Sequence, residues 1–170
     1  MQSFPIPVEE AQRLRELQSL RFYEWDASAA LNVLCDIAAR LLETPIAHLS
    51  LLVRNEQIFA GRTGLEADRT ARAIAFCAHT IMTPEPFIIE NAEKDPRFCN
   101  NPLVTADPNI RAYLGIPLET APGLRIGALC AVDRKPRAFT KNDLETLTKL
   151  ARIAVRCSRA IARRSYSTIN

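Results

Sequence analysis

The chain has 170 residues and is 48% hydrophobic, enough for one domain with a real apolar core, and its net charge of +3 is too small to argue for nucleic acid. Five cysteines, an odd number with no CxxC pair, argue against a disulfide framework or a zinc site and fit a reducing, cytoplasmic setting. No apolar run reaches the ~18 residues needed to cross a membrane, and the N-terminus lacks the basic start and apolar stretch of a signal peptide.

Residues 1–8 hold two prolines and read as an extended arm. From Glu9 to Leu20, apolar residues at Ala11, Leu14, Leu17 and Leu20 have helical spacing. Asp26 or Ser28 can cap a second helix, which carries Leu31, Leu34, Ala38, Leu41 and Leu42 and ends before Pro45. Ile46 to Val53 reads as a strand with Ala47, Leu49, Leu51 and Val53 on one face. His48 and Ser50 share the other face with Ile46 and Leu52. A turn at Asn55-Glu56 returns the chain as a strand over Gln57 to Arg62. Gly64 to Ala71 is polar and loop-like, and Ala73 to Met82 is a short helical stretch closed by Pro84 and Pro86. Phe87-Ile88-Ile89 is a short strand. Residues 91–108 form a long irregular connection, of a length that is usually functional or mobile.

Arg111 to Asp133 organises the rest: two apolar runs flank a Pro-Gly turn, a hairpin signal. Ile126, Ala128, Cys130 and Val132 point one way, and Gly127, Leu129 and Ala131 the other. Both faces are apolar, as in a central strand covered on both sides. Pro117 lacks a donor, so the first strand is expected to end or bulge there. Thr140 or Asn142 starts a last helix with Leu144, Leu147, Ala151, Ala154 and Ile161 on one side, reaching about Arg163. That spacing suits packing against a second copy or against the N-terminal helix. Its basic residues, Lys149 to Arg164, lack interleaved aromatics and read as a solvated face, not a nucleic-acid or membrane surface.

The expected fold class is α+β, an α/β sandwich. A central antiparallel sheet of five to six strands has the terminal helices on one face and a pocket-forming insert, residues 64–110, on the other. Residues 9–164 form one domain, between the arm 1–8 and a tail 165–170.

Several motifs then stand in a familiar order: Leu20-Arg-Phe-Tyr-Glu, Thr44-Pro-Ile-Ala, Gly64-Leu, Phe76-Cys-Ala-His-Thr-Ile, Asp95-Pro-Arg-Phe, Asn101-Pro-Leu-Val, Ile110-Arg, Gly115-Ile-Pro-Leu and Gly127-Ala-Leu-Cys-Ala-Val-Asp. Together they resemble the bacterial GAF domain, in the subgroup found beside histidine kinases and diguanylate cyclases, over residues 14 to 158. The resemblance implies a GAF-like (profilin-like) fold with a small-molecule pocket and a sensory or regulatory role in signal transduction, with no ligand named. It implies a downstream kinase or cyclase as a possible partner. In phytochrome-like relatives a cysteine that holds bilin stands where this chain has Arg111, so no covalent bilin is expected. No output module is legible after residue 164, so the chain reads as a stand-alone sensor or a piece of a longer one.

The expected pocket lies between the central strands and residues 73–110. Gly115, Gly127 and Ala128 leave the middle of the sheet low there. Its candidate ligand-binding residues are Phe76, Cys77, His79, Asp95, Phe98, Arg111, Tyr113 and Cys130. Cys77 and His79, two apart, do not face each other on a helix, and no local acid orients a base, so no catalytic residue is assigned. Arg111 either bridges to Asp95 or Asp107 or offers its fork to an anionic ligand. No metal and no cofactor are assigned. The expected function is a non-catalytic module that binds a small molecule and signals through its terminal helices, as a homodimer formed by them. Two alternatives stand beside it: a thiol-dependent reductase like the methionine-(R)-sulfoxide reductases built on this fold, drawing on Cys77, Cys99 and Cys130, or a structural dimerisation module with no ligand.

Overall fold

The structure, a computed structural model, describes residues 4–20 and 28–167, without the side chains of residue 28 and of residues 158–167. The candidate cap Asp26, most of the Leu20–Glu24 motif and the side chains of Ile161, Arg163 and Arg164 therefore lie outside the described residues.

Helix α1 spans Glu10–Ser19 and α2 spans Ser28–Leu42. Helix α2 stops where Glu43 takes a left-handed conformation, φ 53°, and the amides of Glu43 and Thr44 bond back to Arg40 and Ala39. That is the helix end usually made with glycine at this position. Six strands follow: β1 Ile46–Leu52, β2 Glu56–Thr63, β3 Arg69–Ala71, β4 Phe87–Ile89, β5 Ala112–Ala121 and β6 Leu124–Asp133. Two short helices interrupt them, α3 Cys77–Thr80 and α4 Pro102–Thr105, and α5 Lys141–Ser167 closes the described chain. Thr140 and Asp143 cap α5 reciprocally, amide to carboxylate at 2.8 Å and amide to hydroxyl at 3.1 Å.

The strands make one antiparallel sheet in the order β3-β2-β1-β6-β5-β4. One face packs on the helices: Ala47, Leu49, Leu51, Leu114, Leu118, Leu129 and Ala131 meet Leu17, Leu31, Cys35, Ala38, Leu147, Ala151 and Ala154. Helix α2 approaches closely because Gly61 has no side chain, and a Cβ there would stand 2.7 Å from the Leu31 backbone. The insert covers the other face: Ile46, Leu52, Ala128, Cys130 and Val132 meet Phe76, Cys77, Ile81, Phe98 and Val104. The α+β sandwich, the antiparallel sheet and the two covered faces agree with the sequence reading.

Four local expectations differ. The polar segment 64–71 ends in strand β3, whose pairing with β2 is backbone bonding that any side chain permits. The stretch 73–82 is no single helix. A 3-10 turn at Arg72–Ile74 is followed by extended Ala75, which turns Phe76 and Cys77 into the core. Strand β5 runs through Pro117 to Ala121. Its outer neighbour β4 stops at Gly115, and the irregularity falls beyond Leu118 instead. Ile126 joins the helix-side cluster, because the register of β5 on β6 shifts between residues 118 and 121.

A charged network fastens α1 beneath the sheet. Arg13 and Arg72, both 1% exposed, share the carboxylate of Glu10. Arg13 also donates to the carbonyl of Leu52 at 2.7 Å, and Arg72 to that of Val53 at 3.1 Å. Burial alone would raise the Glu10 carboxyl, but the two guanidinium hydrogen bonds outweigh it and hold it at about 2.

Candidate functional site

On the insert side, a cavity of about 460 Å³ opens between the β3-β2-β1 half of the sheet and residues 64–67 and 103–110. Strand alternation puts Ile46, His48, Gln57 and Phe59 on its floor. Phe76, Cys77 and Tyr113 form its inner wall, and Glu66, Asp107 and Arg134 also line it. Gln57 donates its amide N–H to the Thr70 hydroxyl at 3.1 Å. Its Oε1 and the Nδ1 of His48 are buried without a hydrogen-bond partner. Buried polar atoms are nearly always paired, and these two unpaired ones both belong to residues of the cavity lining. Burial pushes His48 down to about 4, so its ring is neutral near pH 7, with one nitrogen free to accept.

Cys77 and Tyr113 of the inner wall join Cys130 behind them in a sulfur–phenol cluster. The Cys77 and Cys130 sulfurs are 3.3 Å apart, and the Tyr113 hydroxyl lies 3.2 Å from the first and 3.1 Å from the second. Thr80 holds that hydroxyl at 2.7 Å. Burial raises Cys130 and Tyr113. Burial also opposes ionisation of Cys77, but hydrogen bonds to Cys130, Ser50 and Tyr113 outweigh it and place this thiol lower.

Of the eight residues singled out from the sequence, Phe76, Cys77 and Tyr113 line the cavity and Cys130 backs it. The other four do not line it. His79 and Phe98 are taken up by an aromatic cluster: Phe76 stacks on Phe98 at 4.1 Å, and His79 lies 5.8 Å from Phe87 and 4.9 Å from Phe98. That cluster fills the β5-β4 side of the insert, which moves the cavity toward β1 and β2. Asp95 is held by Arg97 at 2.6 Å, which lowers its carboxyl. Arg111 turns to Glu93 at 3.0 Å and to the carbonyl of Val104 at 2.9 Å. It pins the connection as a bridge, with Glu93 as partner instead of Asp95 or Asp107. The small residues do not shape the cavity either. A Cβ on Gly115 would meet the Tyr113 hydroxyl at 2.4 Å, and one on Gly127 the Ser50 carbonyl at 1.8 Å. Both glycines are spent on close packing.

The sequence reading passed over His48, Gln57 and Arg134. His48 had a legible signal, a histidine on the insert-facing side of an otherwise apolar strand. Gln57 had a weaker one. Arg134 had none, since its position depends on where the 103–110 segment returns.

The family model for the GAF domain matches residues 26–157. A cyclic di-GMP phosphodiesterase from Pseudomonas aeruginosa is 36% identical over 152 residues, which are 89% of this chain and 26% of that protein. The chain thus spans about a quarter of that curated relative's length. Among solved structures, the blue-light absorbing form of the PixJ GAF domain from Thermosynechococcus elongatus superposes with a TM-score of 0.69 at 14% identity, covering 90% of this chain and 94% of that one. Free methionine-R-sulfoxide reductase from Neisseria meningitidis, in complex with its substrate, gives a TM-score of 0.65 at 16% identity, covering 97% and 99%. At these identities the two structures testify to the fold alone.

Proposed function

Because this chain belongs to the GAF domain family, we propose that it is a non-catalytic sensory or regulatory module that binds a small molecule in the β1-β2 cavity and signals through its terminal helices. The observation that carries this reading is the pair of orphaned polar atoms, His48 Nδ1 and Gln57 Oε1, in the buried wall of a cavity of about 460 Å³. A guest with an apolar body and a hydrogen-bond donor for Gln57 would satisfy what the protein leaves open. The segment 103–110 contributes Leu103, Asp107, Pro108 and Ile110 to the lining, so a guest would bias its position.

The output partner of this reading is an enzyme of cyclic-nucleotide or phosphate signalling, such as the phosphodiesterase that shares this stretch, or a kinase or cyclase. The chain acts as the regulatory part. A second copy is the other partner. Leu147 does not face such a copy, because it is fully buried against the chain's own sheet. Val33, Ile37 and Leu41 instead form an exposed apolar row on α2, spaced four apart on one face, with Ile153 exposed on α5. This row is the seam we assign to the homodimer.

Native mass spectrometry of gently purified protein tests the ligand. The wild type should carry a non-covalent adduct that Gln57→Leu loses while staying folded. A wild type that carries nothing, and that no fraction of a metabolite extract stabilises, would leave a structural dimerisation module. The 3.3 Å thiol pair at the cavity edge favours one rival, a thiol-dependent reductase. Consumption of free methionine sulfoxide with a thiol reductant, abolished by Cys77→Ala, would establish that rival.

A further inference from the structure

We propose that His48, Cys77 and Cys130 form a binding site for a divalent, thiophilic metal ion, zinc in chemical class, at the inner end of the cavity. The sheet builds it. His48 on β1 and Cys130 on β6 are directly opposite across the ladder, on the insert-facing side, and Cys77 opens α3 above them. A ring nitrogen of His48 and the two sulfurs all lie within 4.8 Å of one another, and all three residues are buried. The unpaired Nδ1 of His48 is a second, independent sign that the group lacks a partner.

The donor set selects the ion. Two thiolates and one neutral imidazole are the ligands of zinc-type sites, and hard cations prefer oxygen. Charge selects it further. A divalent ion with two thiolates is neutral overall, which a fully buried site tolerates, whereas a monovalent ion would leave a buried net negative charge. Metal–sulfur bonds of about 2.3 Å and a metal–nitrogen bond of about 2.0 Å would set the sulfurs roughly 3.8 Å apart and each sulfur roughly 3.5 Å from nitrogen. The sulfurs at 3.3 Å need to open by about half an ångström, and the ring nitrogen, within 4.8 Å of both, to close by up to about 1.3 Å, both by side-chain rotation. On binding, the two thiol protons leave through the cavity and both sulfurs become metal-bound thiolates. The Tyr113 hydroxyl, in reach of both sulfurs and held by Thr80, can then donate to one of them. His48 and Cys77 both line the cavity, so the fourth position opens into it, where water or a donor atom of a guest can bind. The site depends on the cluster alone and stands whether or not an organic molecule occupies the cavity.

The test uses a variant with Cys35→Ala, Cys99→Ser and Cys157→Ser, which keeps only Cys77 and Cys130 of the five cysteines. The protein is reduced, stripped with a chelator, checked for its fold by circular dichroism and titrated anaerobically with cobalt(II). The expected result is one equivalent bound, with a thiolate-to-cobalt charge-transfer band and the visible bands of a tetrahedral site, displaced by zinc. His48→Ala in that background should weaken cobalt binding at least about tenfold, and Tyr113→Phe by roughly ten- to a hundredfold. A folded, reduced triple variant without the thiolate band overturns the proposal, and so does a band whose affinity His48→Ala leaves unchanged. Neither result bears on the organic adduct sought by mass spectrometry, so the two readings fail separately.

Discussion

Glu10→Gln is the sharpest test of how α1 is held. In the wild type the Glu10 carboxyl sits at about 2 instead of 4.5, because burial is outweighed by the hydrogen bonds of Arg13 and Arg72. Such a shift would amount to roughly 3 kcal/mol at neutral pH, at 1.36 kcal/mol per pH unit. The carboxylate is 19% exposed, and solvent on its open side screens the interaction, leaving about 2 kcal/mol. The neutral amide would also leave two guanidinium groups that are 1% exposed with one side-chain acceptor oxygen in place of two, and set its own NH2 donor against theirs. That brings the expected loss to about 3 kcal/mol, the lower end for breaking a buried ion pair, or a melting temperature about 6 to 12 °C lower. The pH dependence separates charge from packing. A depressed carboxyl contributes fully above 4.5 and loses its contribution as pH falls toward 2. Urea unfolding at a series of pH values should therefore show a constant gap between wild type and variant near neutrality, narrowing below about pH 4.5. A gap under about 1 kcal/mol at pH 7, or one unchanged at pH 3, would refute the ion-pair account.

His48, neutral in the fold and held at about 4 by burial, makes stability fall as pH drops from 6.5 to 4, because the unfolded chain takes up the proton first. The fall should be about 3 kcal/mol and absent in His48→Leu, read by the same urea series over this higher window. Arg111→Ala removes the bridge to Glu93 and the bond to Val104, so it should cost about 1 to 2 kcal/mol. It should leave the affinity of any cavity guest unchanged, and a guest lost without a drop in melting temperature would restore Arg111 as a ligand contact. For the dimer, light scattering at micromolar concentration should give twice the 19.0 kDa chain mass for the wild type and 19.0 kDa for Ile37→Glu. A wild type at 19.0 kDa contradicts the assigned seam.

Periodicity carried the fold because it reports which face of an element is apolar. The alternation along Ile46–Leu52 placed Ala47, Leu49 and Leu51 on the helix side and His48 on the other, as the structure has them. It could not report which cross-strand neighbours fill a gap. Gly115 reads as empty space in the sequence, but the Tyr113 ring, two residues earlier on the same face, folds over it. Arg111 reads as a lone charge at a strand start, and its partner Glu93 is fixed only by the path of the connection. Cysteine spacing is silent on proximity of the same kind. No CxxC is present, yet antiparallel pairing sets His48 opposite Cys130, a proximity that register creates and local sequence does not encode.

One short segment gives the proposed signal a material route. Residues 72–77 hold Arg72, tied to Glu10 of α1, at one end and Phe76 and Cys77, which line the cavity, at the other. Between them the carbonyl of Ile74 accepts a hydrogen bond from Asn101, at 2.9 Å, just before α4. Asn101 also caps α4, whose Leu103 reaches the cavity from the opposite side. A guest that shifts Phe76 or Leu103 therefore pulls on a segment anchored to the N-terminal helix through a buried ion pair. That ion pair joins the two segments at one buried point, and removing one partner of such a pair leaves an uncompensated buried charge, so the joint resists slipping. The same Glu10→Gln change that weakens the fold should then also uncouple the cavity from α1. Hydrogen exchange of α1 amides, with and without the co-purifying molecule, reads this directly. Protection of α1 that still responds to the guest in the variant, at a pH where the variant is fully folded, would show that the coupling runs elsewhere.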